Sequence, residues 1–371
     1  IDGQLIVHTG ITLRGTYRDV ASGGLATTLS FASTNAFHGS DSTGDDTRDG
    51  LVVLEYPGAA IKGIRFEFPA QDPMLTTPFA YPFAIRGYYG SVVEDVYLAN
   101  AYQGINLDEG HGSRVERVWG FPLSVGVKVD HCQGITRIAD VHFHPGVYFQ
   151  KPLFDWVQAN GVAFLFGRAD WQTTRGCMAY GYHTAYRFFE TAAKRNTHGA
   201  VDGDGNPVVY LGGVTNGSFV QCHAEDGTHG IEAVKVGADG VTFTASIFCG
   251  FRLAAVHLSS GSAGNVSMVN CNFHGDAGRV GELWGGKLSF VGCNIHSFEA
   301  ASKAFYLANS GTLNVSSTVF NQGGSIAAFS GGSSRASFVG NSSKNELSVV
   351  GSSALGSRFV YGLNNPPLTV N

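Results

Sequence analysis

The sequence predicts an all-β solenoid, a single-domain parallel β-helix of about a dozen coils over residues 1–371, and three observations carry that prediction. First, Val93 to Leu98, Val115 to Gly120 and Ile138 to Phe143 repeat one pattern, apolar-x-x-apolar-x-apolar or small, at spacings of 22 and 23 residues. Second, the register runs on. Ile61 to Phe66 precedes these copies, and Thr174 to Cys177, Phe219 to Cys222, Phe243 to Ser246, Met268 to Cys271, Phe290 to Cys293, Val315 to Thr318 and Phe338 to Asn341 follow, making eleven coils. Third, Val, Ile, Phe, Tyr, Thr, Gly and Asn dominate, with 51 Gly and only three Met, and the i, i+3, i+4, i+7 spacing of a helical repeat is missing. No coil of this length can bury its apolar face alone, so the stack of coils is the fold.

Taken in order, Leu5 to Val7 and Gly10 to Gly15 read as the first strands, and Ser33 to Gly50, rich in Ser, Asp, Thr and Gly, as a loop that breaks the register. The abrupt start at Ile1 leaves an open first coil, so upstream sequence is expected. A second insertion, 69–82, carries four prolines and excludes regular structure. A third, 145–160, leaves the same corner three coils later, so two aromatic-rich loops are expected to wall a groove, roughly 14 Å apart. Eight residues after Val96, Val118, Cys177 and Cys222, a Gly or Ala opens another short strand, beginning at Gly104, Gly126, Ala185 and Gly230. A fourth insertion, 190–213, holds Lys194, Arg195, His198, Asp202 and Asp204 at a different corner. From Val214 to about Val350 the coils become plainer and read as structural, and the tail after Leu363 reads as a terminal extension.

Composition narrows the function. Charged residues are 14% and net charge is -5, so there is no basic footprint for nucleic acid, and no apolar run is long enough to cross a membrane. Cys177, Cys222, Cys271 and Cys293 share one inward repeat position, which predicts small buried thiols in a column rather than disulfides.

The unit from Gly104 to Trp119, strand, corner, strand, two-residue corner, third strand, resembles a coil of the pectate-lyase-like right-handed parallel β-helix superfamily, and Gly10 to Gly15 is similar to the segment after that family's N-terminal cap. The resemblance implies a secreted or cell-envelope, bacterial or phage-like, carbohydrate-active protein. It places the substrate groove on the outer face of the strands at Ile105 to Asp108, Val127 to Asp130, Tyr186 to Phe189 and Ile231 to Val234. Alternation then points outward Arg86, Asn106 and Asp108, Lys128 and Asp130, Arg187, Glu232 and His257.

Asp108 and Asp130 come from adjacent coils, so their carboxylates are expected roughly 5 to 7 Å apart, near the separations glycosidases use. One could protonate the leaving oxygen while the other attacks or activates water, and Glu109 could replace either. Equally, both could end strands and bond their corners. His111 and His131 follow in equivalent corners, either contacting sugar hydroxyls or tuning a carboxylate, or bonded to backbone. Lys128 and Arg187 support a rival chemistry that the resemblance implies, β-elimination with calcium held by Asp108, Asp130 and Glu109, although Lys128 could simply pair with an Asp. His142 and His144 suggest a metal pair short of ligands, or groove-edge residues. Tyr148, Phe149, Phe154, Trp156 and Trp171 suit sugar stacking or loop packing. The sequence therefore predicts a glycoside hydrolase or glycosyl-transferring enzyme without cofactor, acting on a poly- or oligosaccharide. The alternatives are a polysaccharide lyase with calcium and a non-catalytic, tailspike-like glycan-binding module, and the superfamily resemblance allows a homotrimer.

Overall fold

A computed structural model describes residues 4–16, 26–32, 50–55, 57–195, 206, 209–262, 264–274, 278–298, 303–322, 324–330, 333–344, 346–350, 359–362, 364–365 and 368–370. Most of the 33–50 insertion and the 196–205 part of the fourth insertion, with His198, Asp202 and Asp204, lie outside the described residues, as do the side chains of Lys194 and Arg195. The chain divides into two compact units, Ile1–His183 with Lys194–Tyr210, and Thr184–Ala193 with Leu211–Asn371.

Both units are built from short parallel strands stacked in register, the arrangement of a parallel β-helix. In unit 1 one sheet runs Leu5–Val7, Val52–Leu54, Phe83–Gly87, Gln103–Asp108, Val125–Asp130 and Val162–Phe166. In unit 2 the corresponding run is Thr184–Phe188, His229–Ala233, Ala254–Leu258, Arg279–Leu283, Phe305–Ala308, Gly324–Ser330, Leu347–Val350 and Leu368–Val370. Side chains alternate in direction along each strand, so Ile85, Ile105, Leu107, Val127 and Val129 all point inward, at 0% exposure. The stacked Phe219 and Phe243 rings, 4.5 Å apart, fill the interior of unit 2 the same way. Each such buried side chain contributes about 1.5–3 kcal/mol.

The apolar-x-x-apolar repeat has a specific backbone cause. The second x residue takes a left-handed conformation, as at Asp95 (φ 53), Arg117 (φ 52) and Asp140 (φ 53) in unit 1, and at Gln221, Ala245, Asn270 and Ser317 in unit 2. That single residue turns the chain, so two inward side chains stand three apart instead of two. In unit 1, Val92–Leu98 pairs with Arg114–Gly120 across the bend, with Glu94 opposite Glu116 and Val96 opposite Val118. The inward residue just after the bend is Ile64, Val96, Val118, Val141 and Cys177 in unit 1, and often a small donor in unit 2. Cys177, Cys222, Cys271 and Cys293 are buried free thiols, and each gives its S–H to the carbonyl two residues back, as Ser246 and Thr318 do with their hydroxyls.

The insertions in unit 1 depart from the groove-wall expectation. Residues 145–160 form a short 3-10 turn, Gly146–Tyr148, and a helix, Pro152–Asn160, with Pro at its start. The coils between the two insertions have short turns at this corner, so the loops close over them and meet. Buried Asn100 ties them together: its Oδ1 accepts from Phe68 N–H (3.0 Å), and its amide donates to Phe68 O (2.9 Å) and the Tyr148 hydroxyl (2.8 Å). Tyr148 in turn donates to Gln71 O (3.0 Å), and Leu153 N–H to Pro73 O (3.2 Å).

Candidate functional site

The strands Gln103–Asp108 and Val125–Asp130 pair so that Asn106 lies opposite Lys128 and Asp108 opposite Asp130. One strand earlier, Arg86 lies opposite Asn106. Backbone register thus gathers Arg86, Asn106, Asp108, Lys128 and Asp130 on one patch of the sheet. The patch is not the open strip that alternation alone predicts. Arg86 is 0%, Asn106 1%, Asp108 2% and Asp130 3% exposed, and only Lys128 is half-buried. Part of the cover is local, since a Cβ on Gly50 would lie 2.5 Å from the Arg86 Cβ and Tyr88 stacks 4.6 Å from the guanidinium.

His131, in the left-handed conformation after Asp130 (φ 48), turns its ring back over both acids. Its Nδ1 lies 2.5 Å from Asp108 Oδ1 and 3.5 Å from Asp130 Oδ2. Asp130 Oδ1 also accepts the backbone N–H groups of His131 and Arg168, both at 2.9 Å, and Asn106 Oδ1 accepts the Asp108 N–H at 3.0 Å. Arg86 Nη2 is 4.0 Å from Asp108 Oδ2, and the three guanidinium nitrogens make no hydrogen bond among the described residues. Glu109 is fully buried with φ 59, in the corner equivalent to His131. Lys128 forms no ion pair with either Asp among the described residues. The neighbouring Cys132 thiol is pushed up to about 12 by burial and by the charges of Asp108 and Asp130, so it serves as packing rather than as a nucleophile.

The remaining candidates are scattered. His111, which sequence alone made the twin of His131, accepts the Gln133 N–H on Nδ1 (2.8 Å) at its corner. His144 is exposed, accepts the Gly146 N–H (3.1 Å) and lies beside Tyr180. His142, beside it, is held below the ordinary histidine value by burial and by His144. Trp156 is half-buried against Tyr102, 6.2 Å between ring centres, whereas Trp171 is 61% exposed. Tyr148 and Phe154 are buried, packed around Phe121, while Phe149 is 40% exposed. In unit 2, Arg187 lies 3.3 Å from Glu232.

Among the described residues, Asp108, Asp130 and His131 are the single group of three ligand-type side chains close enough to share an ion, with one atom of each within 4.8 Å of the others. Calcium does not fit there. It takes six to eight oxygen ligands, whereas here an imidazole nitrogen already bonds Asp108 and a guanidinium stands beside the same carboxylate.

Sequence reasoning stopped the outward column of unit 2 too early. The register continues from Arg187 through Glu232 and His257 to Glu282 and Tyr306. Counting on by 25 and then 24 residues from His257 reaches both, so the signal was present in a stretch that read as plain and structural.

No protein-family model matches the chain, and no curated protein matches it. Among solved structures it is similar to PfbA, a surface adhesin of Streptococcus pneumoniae, at 8% identity and TM-score 0.47, over 80% of this chain and 82% of the adhesin. It is similar to the ORF18 protein of Geobacillus virus E2 at 10% identity and TM-score 0.35, over 91% of this chain and 52% of that one. The catalytic domain of Agl-KA gives 11% identity and TM-score 0.44, over 97% of this chain and 61% of that one.

Proposed function

We propose that this protein is a carbohydrate-active enzyme that cleaves a glycosidic bond in a poly- or oligosaccharide with Asp108 and Asp130 as its carboxylate pair. One observation carries the reading: two carboxylates from adjacent strands lie within 4.8 Å at one imidazole, in a patch that also holds Arg86 and Lys128. That separation fits the short glycosidase spacing of roughly 5–5.5 Å, which belongs to double displacement with retention. Asp130, fixed by two backbone N–H groups, attacks the anomeric carbon as the bond to the leaving oxygen breaks. Asp108, bonded to His131, passes a proton to that oxygen and then takes one from the water that releases the sugar. Lys128 orients substrate hydroxyls, and Arg86, buried beside Asp108, positions that carboxylate.

The test is an assay on neutral and uronate-containing glycans that reads reducing ends together with ultraviolet absorbance. Reducing ends without absorbance are expected, with Asp108→Asn and Asp130→Asn each lowering the rate by about a thousandfold. Unsaturated product would instead point to elimination with Lys128 as base.

A second reading has its own support. The near-complete burial of both acids and the backbone bonds of Asp130 suit a corner brace. In that case Asp130→Asn lowers the melting temperature, no glycan is cleaved, and the protein acts as a glycan-binding module.

A further inference from the structure

The outer face of the sheet in unit 2 carries a cluster that the acid pair of unit 1 does not use. Glu282 is its hub. The carboxylate accepts from Arg279 Nη1 at 2.9 Å and pairs with His257 Nδ1 at 3.1 Å, and Trp284 follows two residues on, next to Tyr306. Its side chain is 13% exposed, and the His257 bond, together with Arg279, holds the carboxyl below its ordinary range despite that burial. Arg279 lies 4.9 Å over the Tyr306 ring, whose centre is 5.8 Å from that of Trp284 at an angle of 57°. One carboxylate thus fixes a cation and an imidazole at the same time, and the cation in turn covers Tyr306. The Trp284 side of this cluster faces solvent, with the residue 36% exposed.

We propose that this face of unit 2 is a binding site for a neutral saccharide: Trp284 and Tyr306 take the apolar C–H face of a pyranose, while Glu282, His257 and Glu232 take its hydroxyls. Three features select that ligand. A partly exposed indole beside a tyrosine ring offers an apolar face, which suits the C–H side of a sugar. The polar side chains at the register positions of Glu232, His257 and Glu282 recur once per strand, at roughly 4.8 Å, so a glycan laid across the strands meets a new hydrogen-bonding group at each step. Finally, the charges cancel locally, since Arg279 is committed to Glu282 and Arg187 lies against Glu232, which leaves no field of one sign to draw a charged polymer. Two rings are also too little for the core of a stable protein interface, which buries roughly 1,200–2,000 Å². The site stands whether or not unit 1 is catalytic.

The experiment is native affinity electrophoresis of the full chain through gels containing soluble neutral glucans, mannans or galactans, with a polygalacturonate gel as the charged control. Retardation is expected in at least one neutral gel. Trp284→Ala and Tyr306→Ala should each weaken it by about tenfold, equivalent to 1.4 kcal/mol, while Trp284→Phe preserves most of it. Glu282→Gln should weaken binding, because it loosens the Arg279 and His257 contacts that order the face. Passage of the folded wild type through every neutral gel would overturn the proposal, as would retardation by polygalacturonate alone. So would unchanged retardation of Trp284→Ala, or self-association that Trp284→Ala abolishes with no retardation by glycan.

Discussion

At the scale of single residues, Arg86 separates stability from function most cleanly. A guanidinium that is fully buried, makes no hydrogen bond among the described residues and faces its carboxylate only at 4.0 Å has little Coulombic return for its lost hydration. Asp108 keeps His131 when Arg86 is removed. Replacing Arg86 with Met, similar in length and apolar, is therefore expected to leave unfolding free energy within about 1 kcal/mol of wild type or to raise it. The same change should depress glycan cleavage if Arg86 positions the Asp108 carboxylate. Thermal melts and the reducing-end assay on one preparation check both halves, and a variant that melts early with activity intact would reverse the assignment. His131 and His111 show why sequence could not make this distinction. Both follow strand-ending residues in equivalent corners, yet one ring folds over two acids and the other accepts a backbone N–H.

At the scale of the element, the left-handed bend is where stability can be gained. Ala245 is exposed and sits at φ 50, a conformation that costs a residue with a Cβ about 1–2 kcal/mol, while the equivalent positions Gly292 (φ 64) and Gly340 (φ 67) carry no such strain. Gly gives back part of that gain through the freedom of the unfolded chain. Ala245→Gly is expected to stabilise by about 0.5–1 kcal/mol, measured by denaturant midpoint at constant slope. The insertions give the opposite case. Asn100→Ala leaves the Phe68 N–H without its acceptor and takes one of two bonds from the Phe68 carbonyl and the Tyr148 hydroxyl, and a cost of about 2–3 kcal/mol follows from one unpaired buried donor and two lost bonds. Limited proteolysis should then cut first within 69–82 or 145–160. A loss smaller than 1 kcal/mol would mean that the loops do not depend on Asn100.

At the scale of the whole molecule, stability should fall in acid in two stages. His142 and His223 are both held below the ordinary histidine value of 6.5 by burial; His142 Nε2 has no hydrogen-bond partner among the described residues, and His223 Nδ1 accepts the Ile247 N–H. With folded values below the unfolded one, the unfolded chain binds more protons as pH drops beneath 6.5, so this contribution is complete above that pH and fades below it. Glu94 and Glu282 are lowered from 4.5, Glu94 first by its bond to Lys62 and Glu282 first by His257, so their contribution is present above 4.5 and is lost as pH falls through their folded values. Melting temperature should therefore be level between about pH 7 and 8, decline below about 6.5 and decline again below about 4.5. The double variant His142→Gln, His223→Gln should flatten the first decline only.

What the sequence by itself determined is the stack. Periodicity of 22 to 25 residues, strand formers and inward apolar positions are local and repeated, so each coil states the same instruction and errors average out. The buried cysteine column was legible for the same reason. Tertiary structure alone decided which outward positions stay open. Asn106 and Asp108 alternate as predicted, yet burial on the outer face depends on what packs over the sheet from other coils, which no strand encodes. It also decided that two insertions separated by short corners meet through Asn100, and that Glu282 gathers His257 and Arg279. These are choices of rotamer and loop path, fixed by contacts between residues distant in sequence, and periodicity carries no information about them.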